Sequence, residues 1–326
     1  TEDLVGLWLK LSPEQVFEVR ALPLVKNLLR WGFSLVAGGM VHRKPTRGLV
    51  DTDPLRRFLA KALNHAPDEP LEGIQRNLDA GRLIAVALAA TRYGTGQSVT
   101  WVQGREVDLW TRPQRHAQKT LLTVDHIMAS SALPLLFPAV NVDDEWYGDG
   151  GVRLTAPLSP ALHLGASRIL TISTRYARSV EEASKVSADG YPSPAQVLGT
   201  LYNAIFLDLI DEDILRLNMV NGLLARLPKE QHGKMRRIEN LVIRPSQDLG
   251  RIARKFEPRL PGFFRYLTRG LGTRSGRSYD MVSLILFQED YIRHLIELGE
   301  ADAERESERI GAFFDSEVGR GITRDA

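Results

Sequence analysis

An α/β fold follows from three stretches of this 326-residue chain. Arg82 to Thr91 is a near-continuous apolar run of strand length, the pattern of a strand buried on both faces. After Pro157 helical apolar spacing runs to about Leu164, Gly165 ends it, and Arg168 to Ser173 has strand character. That succession of helix, glycine and strand is the αβ connection of a parallel sheet. A further strand-like run, Asn240 to Arg244, follows a long amphipathic region from about Ala195 to Leu227.

The remaining elements are read in chain order. Leu4, Leu7, Trp8 and Leu11 have helical spacing, and Ser12-Pro13 starts another turn with Val16 and Phe17 on one face. Leu22 to Phe33 continues apolar with basic interruptions. Asp51-Thr52-Asp53-Pro54 offers an N-cap followed by proline, which predicts a helix from about Pro54 to Asn64. Gly94-Thr-Gly96 turns the Arg82–Thr91 strand into the alternating run Ser98 to Gln103, so the two predict a hairpin. Thr123 to Ser131 reads as a short helix, which Pro134 and Pro138 then break, and Ala139 to Val142 reads as a short strand. Arg178 to Pro194 is a polar, exposed loop, and Met281 to Leu298 is strongly periodic helix. No repeat or linker divides the chain, so one domain over 1–326 is expected, with a helical C-terminal extension from about 250.

Composition removes several function classes. Lys plus Arg total 42 against 40 Asp plus Glu, a net charge of +2, so nucleic acid is not an expected partner. Cysteine is absent, which rules out disulfides, thiolate metal sites and cysteine nucleophiles. No apolar run approaches the roughly 20 residues of a membrane-spanning helix.

The chemistry-bearing segment is Gly148-Asp149-Gly150-Gly151, just past the short strand. An acid between glycines at a strand end can stand close to a substrate, and glycine tolerates positive φ. Such a carboxylate can orient and deprotonate a serine hydroxyl without a histidine, given partial burial by Trp146, Tyr147 and Phe137 to raise its pKa. The plainer reading of the same tripeptide is a tight turn.

Other polar residues take structural readings. Ser130 and Ser131 sit near a helix end, where small hydroxyl residues cap or pack. His126 and His163 lie on apolar helical patterns and read as partly buried, satisfied side chains. Asp208, Asp211, Glu212 and Asp213 have no histidine partners for a metal site and read as a solvated helix face. Arg254, Lys255, Arg259, Arg265, Arg269, Arg274 and Arg277, mixed with Phe263, Phe264 and Tyr266, suit either a membrane-surface patch or a solvated face.

Taken in order, Ala129-Ser-Ser-Ala-Leu-Pro134, Phe137-Pro138, Asp149-Gly-Gly151 and the helix-to-strand unit after Pro157 resemble the patatin-like phospholipase family. Leu4 to Leu63 resembles the helical stretch that follows the nucleophile in bacterial members, and Phe287 to Gly299 resembles their C-terminal helix. The resemblance implies a three-layer α/β/α fold with a central mixed, mostly parallel sheet. It implies Asp149 as general base of a Ser-Asp dyad, with Gly148, Gly150 and Gly151 forming the loop around it, no metal and no cofactor. The implied substrate is a lipid ester met at a membrane surface by a cytoplasmic or peripheral membrane protein, with export left open and oligomeric state unspecified. A lipid-binding or regulatory protein of the same fold is the alternative.

Two family features are absent from the sequence: the Gly-x-Ser-x-Gly elbow and the glycine-rich oxyanion loop. Gly32-Phe-Ser34-Leu-Val36 lacks the second glycine, and Ala37-Gly-Gly-Met40 lies after the expected position. The resemblance puts both features ahead of the helix that Thr1 to Lys10 resembles, on the order of 60 to 70 residues, room for a βαβ unit. The expectation is therefore a segment cut away, disordered or carried on another chain. Thr155 stands where the family often has asparagine.

Overall fold

The structure, a computed structural model, describes residues 2–18, 48, 50–184, 194–206, 208–259, 280–284 and 286–315. The stretches Gly32–Val36 and Ala37–Met40, and the basic and aromatic residues between 260 and 279, lie outside the described residues. The chain divides into two compact units, Gly6–Leu154 and Thr155–Ala326, the latter with Thr1–Val5.

The chain opens with helices α1 (Glu2–Leu9) and α2 (Pro13–Val16). Helix α2 starts at Ser12, whose N–H donates to Gln15 Oε1 at 3.0 Å. Helix α3 (Asp53–Leu63) ends at Asn64, which takes the left-handed conformation at φ 55, close to the expected bounds. Its start departs from expectation. Thr52 makes no side-chain cap, and Asp51 Oδ1 accepts the Asp53 N–H at 3.0 Å instead. Helix α4 (Glu72–Asp79) precedes the sheet.

Strands β1 (Ala85–Arg92) and β2 (Gln97–Gly104) form the expected hairpin, with Gly96 at φ +67 in the turn. Strands β3 (Thr111–Arg112) and β4 (Arg115–Lys119) follow, then α5 (Val124–Ser130), β5 (Val140–Val142) and β6 (Glu145–Asp149). The sheet order is β3-β4-β2-β1-β6-β5. The sheet is mixed, but its parallel share is smaller than the resemblance implies. Only β2 and β4 run parallel, and the other four pairings are antiparallel. Tight turns cause three of these, β1–β2, β3–β4 and β5–β6, because a short loop can return a strand only antiparallel to its neighbour, while β1 and β6 meet across a long connection. The β5–β6 turn is made by Asp143 and Asp144, both at positive φ, 49 and 61, as a two-residue hairpin turn requires.

Sheet pairing and α5 build the core of this unit. Directly paired residues share a face, so Ala90, Val99 and Tyr147 point the same way. With Trp101, Leu122, Ala129 and Val142 they form one buried cluster. Trp101 is 1% exposed, and withdrawing such a side chain from water contributes about 1.5–3 kcal/mol. Helices α3, α4 and α5 share a second cluster around Leu71, Val124 and Met128.

The other unit contains α6 (Ser159–His163), β7 (Arg168–Ile172), α7 (Val180–Ala183), α8 (Pro194–Phe206), α9 (Asp208–Leu224), β8 (Glu239–Ile243), α10 (Leu249–Phe256), α11 (Asp280–Ser283), α12 (Glu289–Arg305) and α13 (Ser307–Asp315). Strands β7 and β8 pair in parallel from Arg168↔Glu239 to Ile172↔Ile243, and the αβ step through Gly165, at φ +93, forms where expected. Leu158, Ile169, Leu217 and Ile238 make the local core. The acidic run on α9 is not the solvated face that its composition suggests. Arg175 pairs with Asp208 and with Asp211, Arg244 pairs with Asp211, and Asp213 Oδ2 accepts the Leu158 N–H at 2.9 Å. Their partners come from other elements, which helical periodicity cannot reveal.

Candidate active site

Asp149 is the last residue of β6 and pairs with Ala90 of β1. Its N–H donates to Ala132 O at 2.9 Å, and its own carbonyl accepts the Thr91 hydroxyl at 2.8 Å. The backbone is therefore fixed from both sides, by the chain after α5 and by β1. A brace one turn back strengthens the strand pair. Arg92 Nη2 lies 2.9 Å from Glu145 Oε2, and the Tyr147 hydroxyl donates to the same oxygen at 3.0 Å.

The carboxylate itself is lightly held. Oδ1 accepts the Gly151 N–H at 2.7 Å, and Oδ2 has no hydrogen-bond donor among the described residues. Burial pushes the Asp149 pKa up to about 6, against the lowering effect of the Gly151 N–H. An acid titrating there is about nine-tenths ionised at pH 7 and still basic enough to accept a proton.

Gly148 and Gly150 have separate causes. None of Gly148, Gly150 and Gly151 is at positive φ, so the reason is space rather than backbone freedom. A Cβ on Gly148 would lie 2.3 Å from the Tyr93 hydroxyl oxygen, and one on Gly150 would lie 2.4 Å from the Ala89 carbonyl oxygen. Gly151 supplies the N–H that holds Oδ1.

The shielding residues differ in part from those expected. Tyr147 is buried, but Trp146 is 48% exposed, and the ring of Phe137 packs 6.4 Å from Phe17. Tyr93 was not foreseen. Its hydroxyl sits over Gly148, and its pKa is raised by burial and then by the Asp149 charge. Tyr93 follows β1 directly, and its N–H donates to Trp146 O at 2.9 Å.

The serines make structural hydrogen bonds, whereas the histidines depart from the partly buried, satisfied side chains expected of them: His163 is exposed and His126 is only half satisfied. Ser130 Oγ donates to Ala89 O at 2.7 Å, and Ser131 Oγ donates to Ile127 O at 2.9 Å. His126 is buried, with Nδ1 accepting from the Thr123 hydroxyl at 2.8 Å and from the Thr123 N–H at 3.2 Å. The ring hydrogen therefore belongs on Nε2, which is buried without a hydrogen-bond partner. Burial holds the pKa of His126 below its ordinary value, and its ring stands edge-on to Trp101 at 4.6 Å. Beside it, Asp125 takes a two-pronged pair from Arg56 at 2.7 and 2.5 Å. His163 is exposed. Among the described residues no group of three His, Cys, Asp or Glu side chains could hold a metal ion.

A mixed α/β scaffold thus places a partly buried aspartate, its pKa raised by burial, at the end of a strand. Residues 6–162, which include this aspartate, match the family model described as Patatin-like phospholipase. That family is one of lipid acyl hydrolases. No curated protein matches the chain. Among the described residues no helix is long and apolar enough to cross a membrane.

Proposed function

We propose that the protein is a serine carboxylic-ester hydrolase acting on a lipid ester, with Asp149 as general base. The serine of the dyad would come from a segment outside this sequence. The observation that carries the reading is the Asp149 carboxylate: fixed through its backbone, raised to about 6, and with one oxygen open to a partner.

The chemistry follows from those properties. Serine Oγ attacks the ester carbonyl carbon as its proton passes to Asp149. The oxyanion collapses, and the protonated Asp149 returns its proton to the departing alcohol, leaving an acyl-serine. Water then adds to the acyl carbon with Asp149 again taking the proton, and the fatty acid leaves as the serine recovers its hydrogen. Backbone N–H groups holding the oxyanion would supply much of the rate.

The test is Asp149→Asn in the full-length protein, assayed on a short-chain nitrophenyl ester and on phospholipid vesicles. Hydrolysis should fall by about 10⁴-fold, the scale for an essential member of such a pair, with the fold intact by circular dichroism. In the unaltered protein the rate should rise with pH through about 6. Retained turnover in the Asn variant would remove Asp149 from the mechanism. A full-length protein that binds lipid and hydrolyses no ester would instead be the lipid-binding member of the same fold.

A further inference from the structure

We infer that α9 and the loop after it form a docking surface for an anionic lipid bilayer. The argument starts from which side of α9 is buried. Leu217 and Leu224 face the core of their unit, so α9 is anchored there. Its other side leaves Leu215, Met219 and Leu223 exposed at 61, 65 and 56%, with Val220 beside them. Single exposed apolar side chains are ordinary on a protein surface. These are not scattered. At about 100° per residue the four fall within an arc of about 140°, and exposed Arg216 lies inside it.

The loop after α9 adds the charge. Between Ile214 and Ile238 stand Arg216, Arg226, Lys229, Lys234, Arg236 and Arg237 against the single acid Glu230. Exposed Leu227 and Met235 are interleaved with them. Two side-chain ties fold this loop back onto the helix end. The Asn221 amide bonds both the N–H and the carbonyl of Ile238, at 3.0 and 2.7 Å. His232 Nε2 faces the carbonyls of Leu224 and Leu227 at 2.9 and 3.1 Å, so it carries a hydrogen and caps α9. Arg236 reaches the carbonyls of Leu162 and Ala166 at 3.3 Å, and among the described residues the other five basic side chains have no ion-pair partner.

Glu212 lies on the same side one turn before Leu215, so the basic residues border the apolar side at its C-terminal end, and that end has the pattern of a segment lying in a bilayer surface. The apolar side chains enter the acyl boundary while the basic ones meet anionic headgroups. A second copy of this chain fits worse, because a self-complementary contact would bring two basic patches together. The inference is independent of the catalytic reading, since its readout is binding rather than turnover.

The test is co-sedimentation of the full-length protein with vesicles of phosphatidylcholine, with and without phosphatidylglycerol. The unaltered protein should bind the anionic vesicles more tightly, and salt should weaken that binding. Leu215→Ser/Met219→Ser/Leu223→Ser should reduce binding at least about tenfold. Arg226→Gln/Lys229→Gln/Lys234→Gln should reduce it by about tenfold or more on the anionic vesicles alone. All six side chains are exposed, so thermal midpoints should not move. Equal binding to both vesicle types, or unaltered binding by both triple variants, would overturn the inference. So would light scattering that showed a dimer which the apolar triple variant dissociates.

Discussion

The carbonyl oxygen of Ala89 lies 2.4 Å from the point where a Cβ on Gly150 would stand. The Ala89 carbonyl and Cβ, neither of which can swing aside, occupy that space, so β1 and the turn after Asp149 are packed too closely to admit a side chain at position 150. Thr91, two residues along β1, meanwhile donates its hydroxyl to the Asp149 carbonyl. The acid is thus set against a single strand by one contact that excludes a methyl group and another that needs a hydroxyl.

Gly150→Ala should therefore destabilise the protein by about 1–3 kcal/mol, the usual cost of forcing a methyl into a filled site, measured by urea unfolding. Gly148→Ala meets the far end of Tyr93 instead. Its penalty should shrink when combined with Tyr93→Ala, giving a coupling of about 0.5 kcal/mol or more in a double-mutant cycle. Additive penalties would show that Tyr93 does not occupy the space over Gly148.

The charge on Asp149 should cost stability, with a definite sign. Its folded pKa of about 6 exceeds the ordinary 3.8, so the folded state holds the proton more tightly than the unfolded chain. Below 3.8 both states are protonated and the group contributes nothing. Stability then falls as pH rises through that window, and the whole cost, about 3 kcal/mol at most, is present above about 6. Asp149→Asn should accordingly be more stable than the unaltered protein at pH 8, with the difference vanishing near pH 4. A difference that stayed constant across that range would contradict the burial of the charge.

Ser130→Ala removes a hydroxyl that donates to Ala89 O and should cost about 1 kcal/mol in stability. Ser131→Ala removes one that only returns to its own helix at Ile127 O and should cost less. Neither should lower ester turnover in the full-length protein by more than a few fold. A loss of about 10⁴-fold in either would identify a nucleophile.

The sequence made visible what depends on neighbours along the chain. The β1–β2 hairpin is signalled by Gly94 and Gly96, α3 by Pro54, and the αβ step by Gly165. Asp149 stood out through its glycines, although Gly148 and Gly150 are required by packing rather than by φ. Contacts made across the fold were not legible. Tyr93 stands over Gly148 only because β6 pairs beside β1, and nothing in the spacing of those residues announces it. Asp208 and Asp211 looked solvated for the same reason, since Arg175 and Arg244 come from elsewhere in the unit. The antiparallel β1–β6 pairing likewise depends on which strands meet, a choice no single run of residues records.

With its amide and carbonyl both tied, to Ala132 and Thr91, Asp149 keeps only the rotations about its two side-chain bonds. It behaves as a fixed post: turning the carboxylate would break the Gly151 N–H bond to Oδ1, and the backbone is tied on both sides. In the proposed reaction, the hydroxyl that gives up its proton would have to be carried to the post already aimed. Precision in such a reaction would then depend on how the incoming group is presented rather than on any movement of the acid.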